Sequence, residues 1–272
     1  MKPFLHSSLL FLFSLFVLSC GENEKISETE LTFSNIHSDQ AKWWRYHKTN
    51  IDLSSEFTAR GEEGDTLSKK AFFEALLTGD YIALKLKSNA SENKYKLFRL
   101  QEDSDDDISY TIMADTYPYY KHFMMEGKEF PDFEFTDLQG RKVSKELAKG
   151  KTLAVKTWFI RCKPCIEEMP QLNRLVEEYE NRDDVLFLSL SLDPKEELET
   201  FLSTREFKYP VIANQKAFIE DTLGFTIYPT HIIVEPSGKI RKVVNTAPEM
   251  IAALKNTAVD VPDYKDAPPP LD

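Results

Sequence analysis

The part of this sequence best suited to chemistry is a pair of thiols three residues apart, Cys162-Lys163-Pro164-Cys165. A thiolate, not a thiol, is the nucleophile of sulfur chemistry, so the setting of the first cysteine matters most. The pair follows a strand-like stretch, Thr152 to Trp158, that is apolar but for Lys156 and the threonines. It opens a second stretch, from about Pro164 to Glu180, in which Ile166, Met169, Leu172, Leu175 and Val176 recur at helical spacing. A strand that ends where a helix begins places Cys162 at the positive end of the helix dipole, among unpaired backbone N–H groups. Pro164 suits the first turn, where its missing N–H would have no partner, and the three-residue step lets the two sulfurs meet. Cys162 is therefore the expected attacking sulfur and Cys165 the buried resolving one, with Arg161 and Lys163 adding positive charge beside the thiolate.

The chain has only one other cysteine, Cys20. A short basic start and the apolar run Leu9 to Leu18, too short to cross a bilayer comfortably, mark residues 1–19 as an export signal. Val17-Leu18-Ser19-Cys20 resembles the bacterial lipobox, in which the cysteine is lipidated and becomes the mature N-terminus, so that acyl chains hold the protein to a membrane surface. The competing reading is a plain secretory signal with an incidental cysteine. With Cys20 lipidated, Cys162 and Cys165 remain, either partners or both free. A bridge closing so small a loop constrains little of the unfolded chain, which favours a reactive pair over a structural staple.

Other chemistries fit less well. A zinc site needs two more Cys or His at ligand spacing, and His6, His37, His47, His122 and His231 form no paired motif. Copper(I) carriage by Cys162, Cys165 and the distant His231 stays open as an alternative. A peroxidase would need a lone attacking cysteine. Residues 102–107 are rich in carboxylates but lack the glycine and terminal glutamate of a calcium loop, and they read as a solvated acidic loop. No cofactor and no resident metal is assigned. A net charge of −11 without a basic cluster disfavours nucleic acid as a partner.

Residues 20–40 are polar and acidic, as a tether would be. Residues 41–127 contain Trp43 and Trp44, a helical stretch Leu67 to Leu77 ended by Gly79, and strands from Tyr81 and Tyr95, which predicts a small α+β module of unassigned role. From Phe130 to Ser144 two alternating runs flank a Gln-Gly turn, the pattern of a hairpin. A short helix, strand Thr152–Trp158, the Pro164 helix, strand Val185–Ser191, a helix from Lys195 to about Arg205, strand-like Tyr209–Ile212, a helix Ala217–Leu223, strand Thr230–Val234, strand Lys239–Val244 and a last helix follow. Such alternation predicts an α/β fold with a central mixed sheet covered by helices on both faces over residues 128–260. Residues 261–272 form a Pro-rich tail.

The segment Trp158 to Pro170 resembles the active-site segment of TlpA/ResA-type thiol–disulfide oxidoreductases of the thioredoxin family, in a lipoprotein form. The likeness runs from about Phe130 to Asn256 and takes in the Phe130-Pro131-Asp132-Phe133 hairpin start, the helix-kinking Pro170, and Tyr228-Pro229-Thr230, which matches the family's cis-proline loop. It implies a thioredoxin-like fold and a catalytic set of Cys162, Cys165, Glu168 and Pro229. It further implies a redox disulfide Cys162–Cys165, with Trp158, Lys163, Pro164, Tyr228 and Thr230 on the substrate side. Glu168, one helical turn beyond Cys165, is placed to carry its proton. Lys156 departs from the pattern, since thioredoxins carry a buried acid there and the subgroup commonly an amide. If it points inward it needs a partner, and Glu168 is the candidate. If it snorkels outward it has no catalytic part.

The implied activity is reduction of disulfides in exported proteins at the periplasm-facing cell envelope, with a membrane electron donor regenerating the dithiol and the lipid on Cys20 as anchor. The competing readings are the copper carrier and a non-catalytic envelope lipoprotein.

Overall fold

A computed structural model describes residues 28–87 and 93–255. Residues 1–19, Cys20 and the Pro-rich tail lie outside these.

The chain opens with helices α1 (Glu28–Ile36) and α2 (Gln40–Asn50). Phe33 and Ile36 of α1 are buried in the same core as Trp43 of α2, so residues 28–40 are part of the folded body and not the tether expected there. The physical reason is two well-spaced apolar side chains in a stretch that reads as polar on average. Strands β1 (Phe57–Arg60), β2 (Thr66–Leu67), β3 (Tyr81–Lys85) and β4 (Asn93–Arg99) form a four-stranded sheet in the order β2-β1-β4-β3, with β1 and β4 parallel. Helix α3 (Lys69–Leu76), N-capped by Ser68, buries Phe72, Phe73 and Leu76 completely, each worth about 1.5–3 kcal/mol against exposure.

Helix α4 (Asp106–Phe123) closes this module, and its start disposes of the acidic run. Asp105 caps it through the Asp107 N–H and also accepts the Gln40 N–H at 2.9 Å, while Asp106 and Asp107 sit in the first turn, where negative charge is favourable. No group of three potential metal ligands occurs among the described residues.

Residues 127–130 leave α4 by pairing with the edge of β11 (Ile240–Val244), through Gly127 N–H to Ile240 O at 2.7 Å and Ile240 N–H to Lys128 O at 2.8 Å. Lys242 of β11 reaches back to Glu56 at 2.9 Å and Glu126 at 3.2 Å, tying the two halves. Beyond come the hairpin β5 (Glu134–Thr136) and β6 (Lys142–Ser144), the short α5 (Lys145–Ala148), and a five-stranded mixed sheet in the order β11-β10-β7-β8-β9. Central β7 (Thr152–Trp158) pairs in parallel with β8 (Val185–Ser191) and antiparallel with β10 (Thr230–Val234); α8 (Lys195–Leu202) leads on to β9 (Val211–Ile212), which continues the sheet beyond β8.

One sheet face, with Ala154, Ile233 and Val244, packs against α7 (Met169–Glu178) and α9 (Ala247–Lys255). The other, with Leu153, Val155, Leu188, Leu190, Ile232 and Val234, takes Phe130, Phe133 and Phe135 and a π-helical turn, Phe218–Thr222. Both faces are covered as the alternation predicts, the second by aromatic side chains of the hairpin and one wide turn.

Candidate active site

β7 ends at Trp158, and the chain crosses residues 159–161 to Cys162, the N-cap of α6 (Lys163–Glu167). Cys162 Sγ accepts the Cys165 backbone N–H at 3.3 Å, which is the capping geometry that favours negative charge on this sulfur. The two cysteines are joined in a disulfide with Cα atoms 5.2 Å apart. Cys162 is 4% exposed and Cys165 0%, so the sulfur an incoming thiolate or disulfide can reach is Cys162. Asp193, just beyond β8, holds the approach loop by accepting the Ile160 N–H at 2.8 Å and the Ser191 hydroxyl at 2.8 Å. Lys163 and Arg161 are exposed, and Lys163 lies 3.6 Å from Glu167.

The expected Pro164 helix is broken at Glu168, which ends α6 and starts α7, with Pro170 in the first turn of the second piece. Glu168 is the most heavily bonded side chain near the disulfide. One carboxylate oxygen accepts from Lys156 Nζ and from His231 Nε2 at 2.9 Å, and the other accepts the Ala247 N–H at 3.0 Å. Lys156 does point inward and is fully buried, and His231 stands directly opposite it across the β7–β10 ladder. Burial by itself raises the Glu168 carboxyl, but His231 and Lys156 more than offset this and hold it below the ordinary carboxylate value. Burial pushes Lys156 downward against the pull of Glu168. No hydrogen bond joins Glu168 to either sulfur in the disulfide form; its oxygens are engaged on the side of the sheet.

The second wall of the site is the loop into β10. The Tyr228–Pro229 peptide is cis. The Tyr228 ring meets Phe159 edge-on at 5.4 Å and packs on the cluster that contains Cys162 and Cys165. Asn245 fixes the loop from behind, donating to Pro229 O at 3.0 Å and to the Thr230 hydroxyl at 3.1 Å.

Two residues expected on the substrate side are placed elsewhere. Trp158 is fully buried, and its indole N–H donates to the Ser189 hydroxyl at 3.0 Å. It supports the loop from below because β7 is covered on both faces to its last residue. Thr230 is also fully buried; its N–H bonds Thr157 Oγ1 at 3.2 Å and its hydroxyl donates to Ile227 O at 2.7 Å. His231 is committed to Glu168, and no three-ligand metal group that would hold copper with the cysteines is present among the described residues. Asp193 and Asn245 carried no sequence signal beyond being polar residues just after a strand.

The arrangement holds a reachable sulfur at a helix start, a resolving sulfur behind it and a flat loop alongside, which is what exchange of one disulfide for another requires. Residues 127–243 match the AhpC/TSA family. Over 121 residues the chain is 33% identical to the thiol-disulfide oxidoreductase ResA of Bacillus cereus, covering 44% of this chain and 69% of the relative. It is 31% identical over 130 residues to the thioredoxin-like protein YneN of Bacillus subtilis, covering 47% and 76%. The thioredoxin domain of a thiol-disulfide oxidoreductase from Bacteroides vulgatus aligns with 24% identity and a TM-score of 0.43, over 48% of this chain and 96% of that one.

Proposed function

The chain belongs to the thiol–disulfide oxidoreductase family that includes ResA, and from that premise we propose that it reduces disulfides of exported proteins at the cell envelope. It is an enzyme of thiol–disulfide exchange. In the dithiol form the Cys162 thiolate attacks one sulfur of a client disulfide and expels the other as a thiolate. Cys165 then attacks Cys162 Sγ, releasing the second client thiol and leaving the Cys162–Cys165 disulfide. Two electrons pass to the client, and a membrane electron donor restores the dithiol. Tyr228, Pro229, Lys163 and Pro164 border the reachable sulfur and meet the client backbone, and Glu168 serves the proton of Cys165 once the disulfide opens.

The observation that carries this reading is Cys162 at the α6 N-cap, bonded to a buried Cys165 beside the Tyr228–Pro229 loop. A redox titration against glutathione, followed by mass shift on alkylation, is expected to show one two-electron couple, and the dithiol form is expected to reduce insulin. A chain that reduces no protein disulfide and has no titratable couple refutes the proposal.

Anchoring at Cys20 has its own check. Labelled palmitate should be incorporated by the wild type and not by Cys20→Ala, with the variant moving to the soluble fraction; equal labelling of the two removes the anchor.

Asn245 gives a further expectation. Asn245→Ala frees the Pro229 carbonyl, so KM for protein disulfides should rise about tenfold while stability falls by only about 1–2 kcal/mol. An unchanged KM in steady-state assays would show that the loop holds its place without Asn245.

A further inference from the structure

The redox chemistry leaves unused a cavity of about 460 Å³ between the last turns of α4 and residues 222–227, the segment that leads into Tyr228 and cis-Pro229. Its wall is apolar where α4 contributes Tyr117 and, just beyond, Met124 and Met125, and where the opposite side contributes Phe225 and Ile227. Tyr117 and Ile227 are 55% and 45% exposed and Met124 is also exposed, so large apolar side chains stand in water around one opening.

A histidine also lines the cavity. His122, in the last turn of α4, is 5% exposed and lines the cavity, and its ring meets Phe225 edge-on at 5.8 Å. Its Nδ1 is enclosed without a hydrogen-bond partner; Nε2, which has no partner among the described residues, is not enclosed and is the ring nitrogen a ligand in the cavity can reach. Burial, with Lys121 beside it, pushes this histidine down to about 4, so at neutral pH it offers one donor and one acceptor. A ligand with a large apolar body and one hydrogen-bonding tip fits a site where Tyr117, Met124, Phe225 and Ile227 surround this ring nitrogen, with Lys121, Lys128 and Glu129 at the same opening.

We propose that the cavity receives a tyrosine or tryptophan side chain of the client polypeptide, close in sequence to the reacting cysteine, so that the N-terminal module selects clients for the thioredoxin-like half. The inference rests on the exchange function proposed above. A polypeptide is favoured over a free small molecule by continuity with the exchange site. Ile227 of the wall is followed by Tyr228, which packs on the Cys162–Cys165 cluster. The backbone N–H and C=O of Tyr228 make no hydrogen bond among the described residues. An extended client chain pairing there would lie beside the segment that leads to the cavity, with alternate side chains turned to one face.

The test uses the full chain in its dithiol form and peptides whose single cysteine is a mixed disulfide with glutathione. One position at a time, on either side of that cysteine, is set to Trp, Tyr, Phe or Ala. At one position Trp and Tyr should raise kcat/KM at least about tenfold over Ala, with Phe between them because it lacks the polar tip. In Tyr117→Ala the preference for Trp should fall below about threefold, and in His122→Phe the distinction between Tyr and Phe should vanish. A flat scan in an active wild type, or preferences untouched in both variants, overturns the cavity proposal alone. Absence of exchange with every peptide overturns the proposed function, and this inference with it.

Discussion

Cys162→Ser is expected to slow client reduction by at least about a thousandfold, because a serine hydroxyl does not ionise near neutral pH and forms no bond to sulfur that Cys165 can break. Cys165→Ser should behave differently. Attack still occurs at Cys162, since its sulfur is the more reachable of the two and caps α6, but resolution is lost. The client should accumulate as a mixed disulfide on Cys162, visible by mass spectrometry after acid quench and released by dithiothreitol. Continued turnover by Cys165→Ser, or an adduct on Cys165 in Cys162→Ser, would reverse the assigned roles.

The second large effect concerns the buried ion pair. Glu168→Gln is expected to cost about 3–5 kcal/mol in urea denaturation of the oxidised protein, because it leaves Lys156 wholly buried without a counter-charge. Lys156→Met should cost less, about 1–3 kcal/mol, since Glu168 keeps His231 and the Ala247 N–H. The double variant should recover most of the loss, because exchanging a buried pair for neutral groups of similar size is nearly neutral, whereas breaking it is not.

The pH dependence has a definite sign. Glu168 is held below its ordinary value of 4.5, so its contribution is complete above that pH and is lost as pH falls through the lowered folded value. Glu168→Gln should therefore show a flatter loss of stability in acid than the wild type. Additive single losses in the double variant, or acid limbs of equal slope, would show that the pair is not coupled.

How much of this was legible beforehand depends on the kind of information each feature needs. The strands of the C-terminal half and the position of Cys162 at a helix start were readable, because apolar runs bounded by Pro and Gly report local structure directly. Helices α2 and α4 were not. The buried face of α2 is carried by Trp43 and His47, and that of α4 passes from Ile108 and Ile112 to Thr116 and His122 across Pro118, so neither shows an aliphatic stripe along its length.

At the site itself the spacing of Cys162 and Cys165 by itself pointed to a reactive pair, because two thiols three residues apart after a strand have few other uses; the proline loop and the pairing of Lys156 with Glu168 came from the resemblance to thioredoxin-family oxidoreductases. Only the tertiary structure decided that His231 and the Ala247 N–H complete the Glu168 environment, that Trp158 and Thr230 are interior supports, and that Asn245 and Asp193 hold the two loops. It alone brings α4 against residues 222–227 and closes the cavity around His122. Each of these joins groups far apart along the chain, and strand pairing and shared burial, which no local pattern records, bring them into contact.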